Sequence, residues 1–211
     1  MVFLPVIMLF ALPATLLIGV ALGRWLRLRP NEGEARVADA ISLGFRRSHV
    51  LLNNVTIPDR GETTQIDHVV VADTGVFVIE TKHYRGWIFG NPKESHWTQV
   101  LHRRKSKFQN PLRQNYGHVQ ALQSFLRLPE PSIFSVVVFT GDAEFKTDLG
   151  PQVLKLGELV SFLERSRPVV FEEREMAWVI GRIEMKRLRR SIETDEYHLN
   201  SVRRRIAKRP A

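Results

Sequence analysis

The stretch GETTQIDHVVVADTGVFVIETK, residues 61–82, decides the fold of this chain. Two runs rich in β-branched residues, 65–72 and 75–82, lie on either side of a short polar segment, residues 73–74, and this arrangement is typical of a β-hairpin. Apolar residues occupy both faces of the two runs. The hairpin is therefore expected to lie inside a sheet that is covered on both sides.

The second predicted strand carries two charged side chains on one face. Glu80 and Lys82 stand two residues apart, so both leave the strand in the same direction. If residues 73 and 74 form a two-residue loop, Asp67 lies directly opposite Glu80. If Gly75 instead forms a bulge, Asp67 faces Thr81, and only a second irregularity brings the carboxylates together.

Two carboxylates that face each other across a strand pair repel, and a hairpin selected only for stability avoids them. Charged groups among valines and isoleucines are also costly to bury unless they are paired or bind a metal. A bound divalent cation would remove both objections. The alternative interpretation is a solvated Glu–Lys pair on an exposed strand, with an Asp that caps a turn.

Outside the hairpin, the pattern predicts helices and further strands. Asn31 is placed to cap a helix that begins near Glu32, with Val37, Ile41 and Leu43 on its buried side. The remaining predicted strands are residues 48–57, 133–140 and 153–156, and a short helix covers residues 158–164. These elements together predict an α/β fold.

A second helix is predicted to begin at Pro111, with Asn110 as its N-cap, and to run to about Leu126. The polar stretch between the hairpin and this helix contains Trp87 and Trp97 and carries no predicted strand.

Several strings resemble the nuclease-related domain (NERD) family, which is placed in the PD-(D/E)xK nuclease superfamily. They are GETTQIDHVVVADTGVFVIETKHYRGWIFG from residue 61, WTQ from residue 97 and FQNPLRQNYGHVQAL from residue 108. The resemblance spans roughly residues 31–140. It implies a restriction-endonuclease-like fold, a mixed β-sheet core flanked by helices.

The resemblance also implies a site. Asp67 and Glu80 match the metal-binding carboxylates, which would hold Mg²⁺ or Mn²⁺, and Lys82 completes the E-x-K pair. The carbonyl of Thr81 is a further candidate ligand. Glu34 resembles the additional acidic residue that such nucleases carry on the first helix.

Three polar residues match family positions whose roles are less defined: Gln99, a candidate catalytic residue, and Gln114 and His118, candidates for nucleic-acid binding. Gln114 and His118 are four residues apart and share a helix face. A hydrogen-bonded pair on the surface is the alternative for these two.

The composition narrows the class of protein. The 211 residues include 31 Lys and Arg against 22 Asp and Glu, a net charge of +9, and no Cys. A chain without Cys has no disulfide scaffold, thiolate zinc site or iron–sulfur cluster. The sequence also lacks the H-E-x-x-H, G-x-x-x-x-G-K-[ST] and G-x-S-x-G motifs of metallopeptidases, P-loop proteins and α/β-hydrolases.

Residues 1–23 carry no charged side chain and predict a transmembrane helix. At ~1.5 Å per residue this segment is roughly 33 Å long, close to the ~30 Å hydrocarbon core of a bilayer. Arg24, Arg27 and Arg29 follow directly, which predicts a single-pass protein of the cell membrane with its C-terminal domain in the cytoplasm. A cleaved signal peptide is the alternative.

The rest of the chain divides into a basic juxtamembrane linker at residues 24–32, a nuclease-like domain at 33–165 with its motif core at 33–140, and a basic helical extension at 166–211. Five positive charges lie between Arg203 and Arg209, where they are expected to bind anionic lipid or nucleic acid, or to form a disordered solubilising tail. A second basic cluster is expected to contact nucleic-acid phosphates, with a solvated loop as the alternative. Its members are Arg103, Arg104, Lys105 and Lys107.

These features predict a membrane-anchored, metal-dependent nuclease that hydrolyses phosphodiester bonds of DNA or RNA. The alternative is an inactive module of the same fold that binds nucleic acid or acts as a scaffold at the membrane.

Overall fold

The computed structural model describes residues 31–59, 61–128, 132–165, 167–189, 191, 193–194 and 196–200. The predicted transmembrane helix at 1–23, the arginines that follow it and the basic tail at 203–209 lie outside these residues. Within the described part of the chain, no helix is both long and apolar enough to cross a membrane.

The described residues form two mixed sheets flanked by helices, which confirms the predicted mixed α/β architecture. The helices are α1 Glu32–Gly44, α2 Pro111–Leu126, α3 Leu159–Leu163 and α4 Glu173–Lys186, and a 3₁₀ turn Leu156–Glu158 precedes α3. The strands are β1 His49–Asp59, β2 Glu62–Ala72, β3 Gly75–Lys82, β4 Gly86–Phe89, β5 His96–Leu101, β6 Arg104–Gln109, β7 Ile133–Phe139, β8 Ala143–Phe145 and β9 Val153–Lys155.

The main sheet has the strand order β1-β2-β3-β7-β9. Its first three strands are antiparallel, while β7 and β9 run parallel to β3. The predicted two-residue loop is confirmed, because Ala72 pairs with Gly75 and the same register continues to His68 and Ile79. The hairpin therefore has no bulge at Gly75.

Helices cover both faces of the main sheet. One face packs against α1 and α3 in a core that includes Val37, Ile41 and Phe77. The other face packs against α2 and α4, with Leu122 and Val179 among its fully buried side chains. Helix α4 thus packs on the same sheet as the predicted nuclease motif.

Both predicted helix starts are confirmed. Asn31 caps α1 by accepting a hydrogen bond from the N–H of Gly33 at 2.8 Å, and Asn110 caps α2 in the same way. The prediction that Leu43 is buried is wrong, since 88% of it is exposed. At about 100° per residue, Leu43 points some 200° away from Ile41, and Phe45 fills the core position instead.

The second sheet, of strand order β6-β5-β4-β8, was not predicted. Its strands are three to six residues long, and β6 is exposed along most of its length. Short, polar strands have little of the alternating pattern from which a strand is recognised. The sheet forms because Ile88 and Trp97 bury one of its faces against β7.

Candidate metal and phosphodiester site

Asp67 lies where the two central strands part. The β2–β3 ladder ends at His68 and Ile79, one residue before Asp67 would meet Glu80. The Oδ2 atom of Asp67 instead accepts a hydrogen bond from the backbone N–H of Thr81 at 2.8 Å. The Asp67 carboxylate therefore accepts the hydrogen bond that a backbone carbonyl of β2 would accept from Thr81 in a regular ladder.

The cause of this opening is a local irregularity in β1 and β2. Asn54, on β1, has a positive φ of 52° and is left out of the β1–β2 pairing. The β1–β2 register is the same on both sides of this point, so Asp67 stands opposite Asn54. On β2, Ile66 and Val69 are three residues apart yet face the same core, so the alternation of the two faces is interrupted at Asp67. At this interruption the Asp67 side chain turns toward β3.

Glu80 is the most deeply buried of the predicted site residues, with 3% of its surface exposed. Its Oε1 accepts a hydrogen bond from Nζ of Lys82 at 2.6 Å. Its Oε2 lies 3.3 Å from Nε2 of His118, but the two atoms do not align as a hydrogen bond, and neither has another partner among the described residues. Lys82 and His118 therefore flank the two oxygens of this carboxylate, and within the described chain only the oxygen facing Lys82 accepts a hydrogen bond.

The surroundings of the two carboxyl groups shift their pKa values in opposite directions. Burial alone would raise the pKa of Glu80, but the nearby His118 and Lys82 outweigh burial and hold that pKa below its ordinary value. Burial raises the pKa of Asp67 well above its ordinary value, and the negative charges of Glu80 and Glu34 raise it further. A bound cation would therefore stabilise the ionised form of Asp67 more than that of Glu80.

Helix α2 contributes the predicted polar pair to the same place. Oε1 of Gln114 accepts a hydrogen bond from Nζ of Lys82 at 3.1 Å, and His118 lies against Glu80. The shared helix face of Gln114 and His118 is confirmed, and that face is directed at the E-x-K pair. On its other side, Nδ1 of His118 lies 2.7 Å from the hydroxyl of Thr64, which holds the ring in place.

Glu34 reaches the site because α1 packs closely against the ends of β3 and β7. A Cβ atom at Gly33 would lie 2.7 Å from the Thr140 hydroxyl and 2.9 Å from Cβ of His83. Only glycine permits this approach, which brings the charge of Glu34 close enough to raise the pKa of Asp67.

The structure does not bring Gln99 to the carboxylates. Its Nε2 donates to the carbonyl of Arg85 at 2.8 Å, within the segment that joins β3 to the second sheet. The basic cluster, predicted to contact phosphates, lies in the β5–β6 hairpin, and Arg104, Lys105 and Lys107 belong to the exposed strand β6.

Three polar residues around the site were not predicted from the sequence. Thr64 orients His118, and fully buried Asn115 donates from Nδ2 to the carbonyls of Val78 and Val136, which ties α2 to β3 and β7. His68, beside Asp67, is buried with Nε2 unpartnered within the described chain, and burial lowers its pKa to about 4. Of the sequence patterns, only the string FQNPLRQNYGHVQAL, which resembles the family and contains Asn115, indicated this residue.

The two carboxyl groups, Asp67 and Glu80, are donors suited to Mg²⁺ or Mn²⁺ and too few for a metal whose ligands all come from protein. In the described residues, no group of three or more His, Asp or Glu side chains is arranged to hold a metal ion. Mg²⁺ commonly uses one or two carboxylates and takes its other ligands from water and substrate phosphates. Two carboxyl groups are present here: Oε2 of Glu80 accepts no hydrogen bond within the described chain, and the pKa of Asp67 is raised, so both are consistent with such a site.

Comparison with known proteins agrees with this geometry. Over 104 residues the chain is 47% identical to an uncharacterized protein of Bacillus anthracis, a region that covers 49% of this chain and 49% of that protein, so the chain spans about half the length of this curated relative. No solved structure matches the chain. The family model described as nuclease-related domain matches residues 29–140. That range is more than half of the 211 residues, so the chain belongs to the nuclease-related domain family, whose general kind is the PD-(D/E)xK nuclease superfamily.

Proposed function

We propose that this protein is a nuclease that hydrolyses phosphodiester bonds with the help of Mg²⁺ or Mn²⁺, on a restriction-endonuclease-like core formed by the main sheet. The observation that carries the proposal is the buried Glu80 carboxylate, which is hydrogen-bonded to Lys82 through one oxygen and lies 3.3 Å from Nε2 of His118 at the other, beside the crowded carboxyl of Asp67. A hairpin selected only for stability has no reason to bury this arrangement.

In this proposal Asp67 and Glu80 hold the ion, which, when bound, supplies charge to polarise the scissile phosphate and to acidify an attacking water. Lys82 places a positive charge beside the phosphate, where negative charge develops in the transition state. Gln114 orients the Lys82 ammonium, and Thr64 orients His118 against Glu80. These two contacts keep the charged groups in position before substrate binds.

A second candidate is a module of this fold that binds nucleic acid without cleaving it. It is favoured by the two hydrogen bonds that Lys82 already makes, to Glu80 and to Gln114, because they leave only one of the three N–H groups of the ammonium for a phosphate. Cleavage by the purified protein separates the two candidates.

The test uses the full-length chain in a mild detergent, with plasmid DNA and a long RNA as substrates. We expect cleavage of at least one substrate with Mg²⁺ or Mn²⁺ and none with EDTA. Glu80→Gln, which keeps the shape and removes the charge, should abolish cleavage, while Glu173→Gln on the exposed first turn of α4 should retain it. Folded wild-type protein that leaves both substrates intact, or equal cleavage by Glu80→Gln, would contradict the proposal.

We also propose that residues 1–23 anchor the protein in the cell membrane as a single-pass helix, with the nuclease domain in the cytoplasm. The uncharged segment and the arginines that follow it, Arg24, Arg27 and Arg29, support this orientation. The protein should remain in the membrane pellet after a carbonate wash and should be released when residues 2–23 are deleted. Protection of the domain from protease in intact cells, with digestion after lysis, tests the cytoplasmic side.

The basic tail at residues 203–209 is proposed to add electrostatic contact, with anionic lipid or with nucleic acid. Vesicle and DNA binding by the full-length protein and by a chain lacking residues 203–211, each titrated with salt, measures the two contributions separately.

A further inference from the structure

The second sheet has two unlike faces. Its inner face carries Ile88, Trp97 and Phe108, which pack in the core against β7. Because side chains alternate along a strand, the neighbouring positions face outward. The outer face is defined by two cross-strand rows, one of Trp87, Val100 and Lys105 and one of Phe89, Thr98 and Lys107, together with Glu144 and Lys146 at the β8 edge.

Trp87 is exposed on this outer face, with 49% of its surface accessible. Its position is controlled, since Nζ of Lys146 lies 4.8 Å from the ring centroid and Glu144 is its cross-strand partner on β8. A large aromatic ring that is oriented by its neighbours and left outside the core is a feature of binding surfaces.

The outer face is positively charged. Lys105 and Lys107 are both exposed and stand on one side of β6, two residues apart. The sequences of β4, β5, β6 and β8 contain one acidic residue, Glu144, which is already neutralised by its ion pair with Lys146. A basic surface with an exposed aromatic ring is complementary to a flexible polyanion that carries planar groups.

We propose that the outer face of the second sheet binds single-stranded nucleic acid, with a base stacked on Trp87 and phosphates beside Lys105 and Lys107. Double-stranded nucleic acid is a poorer fit, because its bases stack on each other and do not offer a face to a protein ring. This inference rests on the proposed function, for which it specifies the substrate class.

The outer face lies close to the candidate site along the chain. Trp87 follows Lys82 by five residues, so their Cα atoms are at most about 18 Å apart even if the chain between them is fully extended. Gln99 holds that connection through its hydrogen bond to the Arg85 carbonyl. A strand bound on the outer face is thus within reach of the carboxylates, and in this proposal Gln99 is a positioning residue for the connection.

The chain offers a matched control for the stacking step. Trp178 on α4 is 50% exposed and has the guanidinium of Arg182 5.4 Å from its ring centroid, much as Trp87 has Lys146. Helix α4 starts next to Phe171, whose N–H bonds the Asp73 carbonyl in the β2–β3 turn, at the opposite end of β3 from Lys82. The two tryptophans are alike in exposure and differ in location.

The experiment measures fluorescence anisotropy of labelled oligothymidylate, oligouridylate and a blunt DNA duplex with full-length protein in mild detergent and EDTA. We expect tighter binding of one or both single strands than of the duplex, and the two single strands distinguish DNA from RNA as the source of the bases. Trp87→Ala should weaken single-strand binding about 5- to 100-fold, Trp87→Phe should retain most of it, and Trp178→Ala should leave it unchanged. Equal losses at both tryptophans, no loss at Trp87, or tighter duplex binding overturns the inference.

The charge contribution is tested in the same assay. Lys105→Glu with Lys107→Glu should weaken binding and reduce the slope of log affinity against log salt by about two, whereas Arg174→Glu on α4 should not. An unchanged slope overturns the phosphate contacts. If single-strand binding depends on Trp87 but the protein does not cleave in Mg²⁺, the proposed hydrolysis is contradicted and this inference is not. If the protein cleaves and Trp87→Ala cleaves equally well, this inference is contradicted and the proposed hydrolysis is not.

Discussion

Two regions of this protein carry the same short motif in different surroundings. Glu80 and Lys82 form an E-x-K pair on the main sheet, and Glu144 and Lys146 form another at the edge of the second sheet. Both pairs are joined by a hydrogen bond from Nζ to Oε1. The side chain of Glu80 is 3% exposed, whereas that of Glu144 is 58% exposed.

The difference shows that burial, rather than spacing, makes an E-x-K pair a candidate site. An exposed ion pair is screened by water and contributes little to stability. A buried pair is costly to desolvate and needs further partners, which on the main sheet are His118 and Gln114 from α2.

The largest effect is expected from removal of the lysine charge. Lys82→Met should lower kcat about 10²- to 10³-fold, because the charge beside the scissile phosphate is lost. Lys146→Met should produce a much smaller loss that appears in KM. Steady-state cleavage kinetics measure both, and equal losses in kcat would remove the distinction between the pairs.

The same two variants should differ in stability. Lys82→Met leaves the buried Glu80 carboxylate without its ammonium partner and should lower the free energy of unfolding by about 3 kcal/mol. The exposed pair should show no measurable change when Lys146 is replaced. Urea unfolding of the two variants against wild type gives the comparison. Similar midpoints for all three proteins would show that the buried pair is solvated.

A smaller effect is expected from the residue that orients Lys82. Gln114→Ala removes one hydrogen bond from the Lys82 ammonium and should lower cleavage about 10-fold, the range typical of groups that support a metal-site residue. Gln120→Ala, further along the same helix, is the matched control. Equal activity of Gln114→Ala and wild type would show that Lys82 needs no such support.

The smallest effect is a gain in stability. Asp67 has a raised pKa, and a carboxyl whose pKa is raised on folding destabilises the fold at any pH above the ordinary pKa of an aspartate, which includes neutral pH. Asp67→Asn should therefore raise Tm by a few degrees in EDTA, since the amide oxygen still accepts the Thr81 N–H. The variant should also lose any rise in Tm that Mg²⁺ produces in wild type. A lower Tm in EDTA would show that the Asp67 charge is stabilised by its neighbours.

Much of the site's framework could be predicted from local sequence. The observed register of the hairpin is one of the two that the sequence left open, and both helix starts followed from an Asn N-cap. The i, i+4 spacing placed Gln114 and His118 on one face. That this face meets Glu80 and Lys82, and that Thr64 completes the contact, depends on how α2 packs against the sheet, which no local pattern records.

Other features were beyond the sequence for physical reasons. The interruption of the strand pattern at Asp67 lies opposite Asn54, whose φ is positive, on a strand thirteen residues away along the chain. The second sheet depends on Ile88 and Trp97 finding β7 as a partner. Both are long-range pairings, and a strand that is short or irregular has too weak a local signal to predict them.

The sequence alone determined the uncharged N-terminal segment, the absence of Cys, the central hairpin and the E-x-K pairs at residues 80–82 and 144–146. Only the tertiary structure decided which pair is buried, which polar groups surround it and which face of the second sheet exposes Trp87 and its lysines. The reason is that burial and electrostatic environment are properties of packing between distant segments, whereas spacing along a strand sets only the direction in which a side chain leaves it.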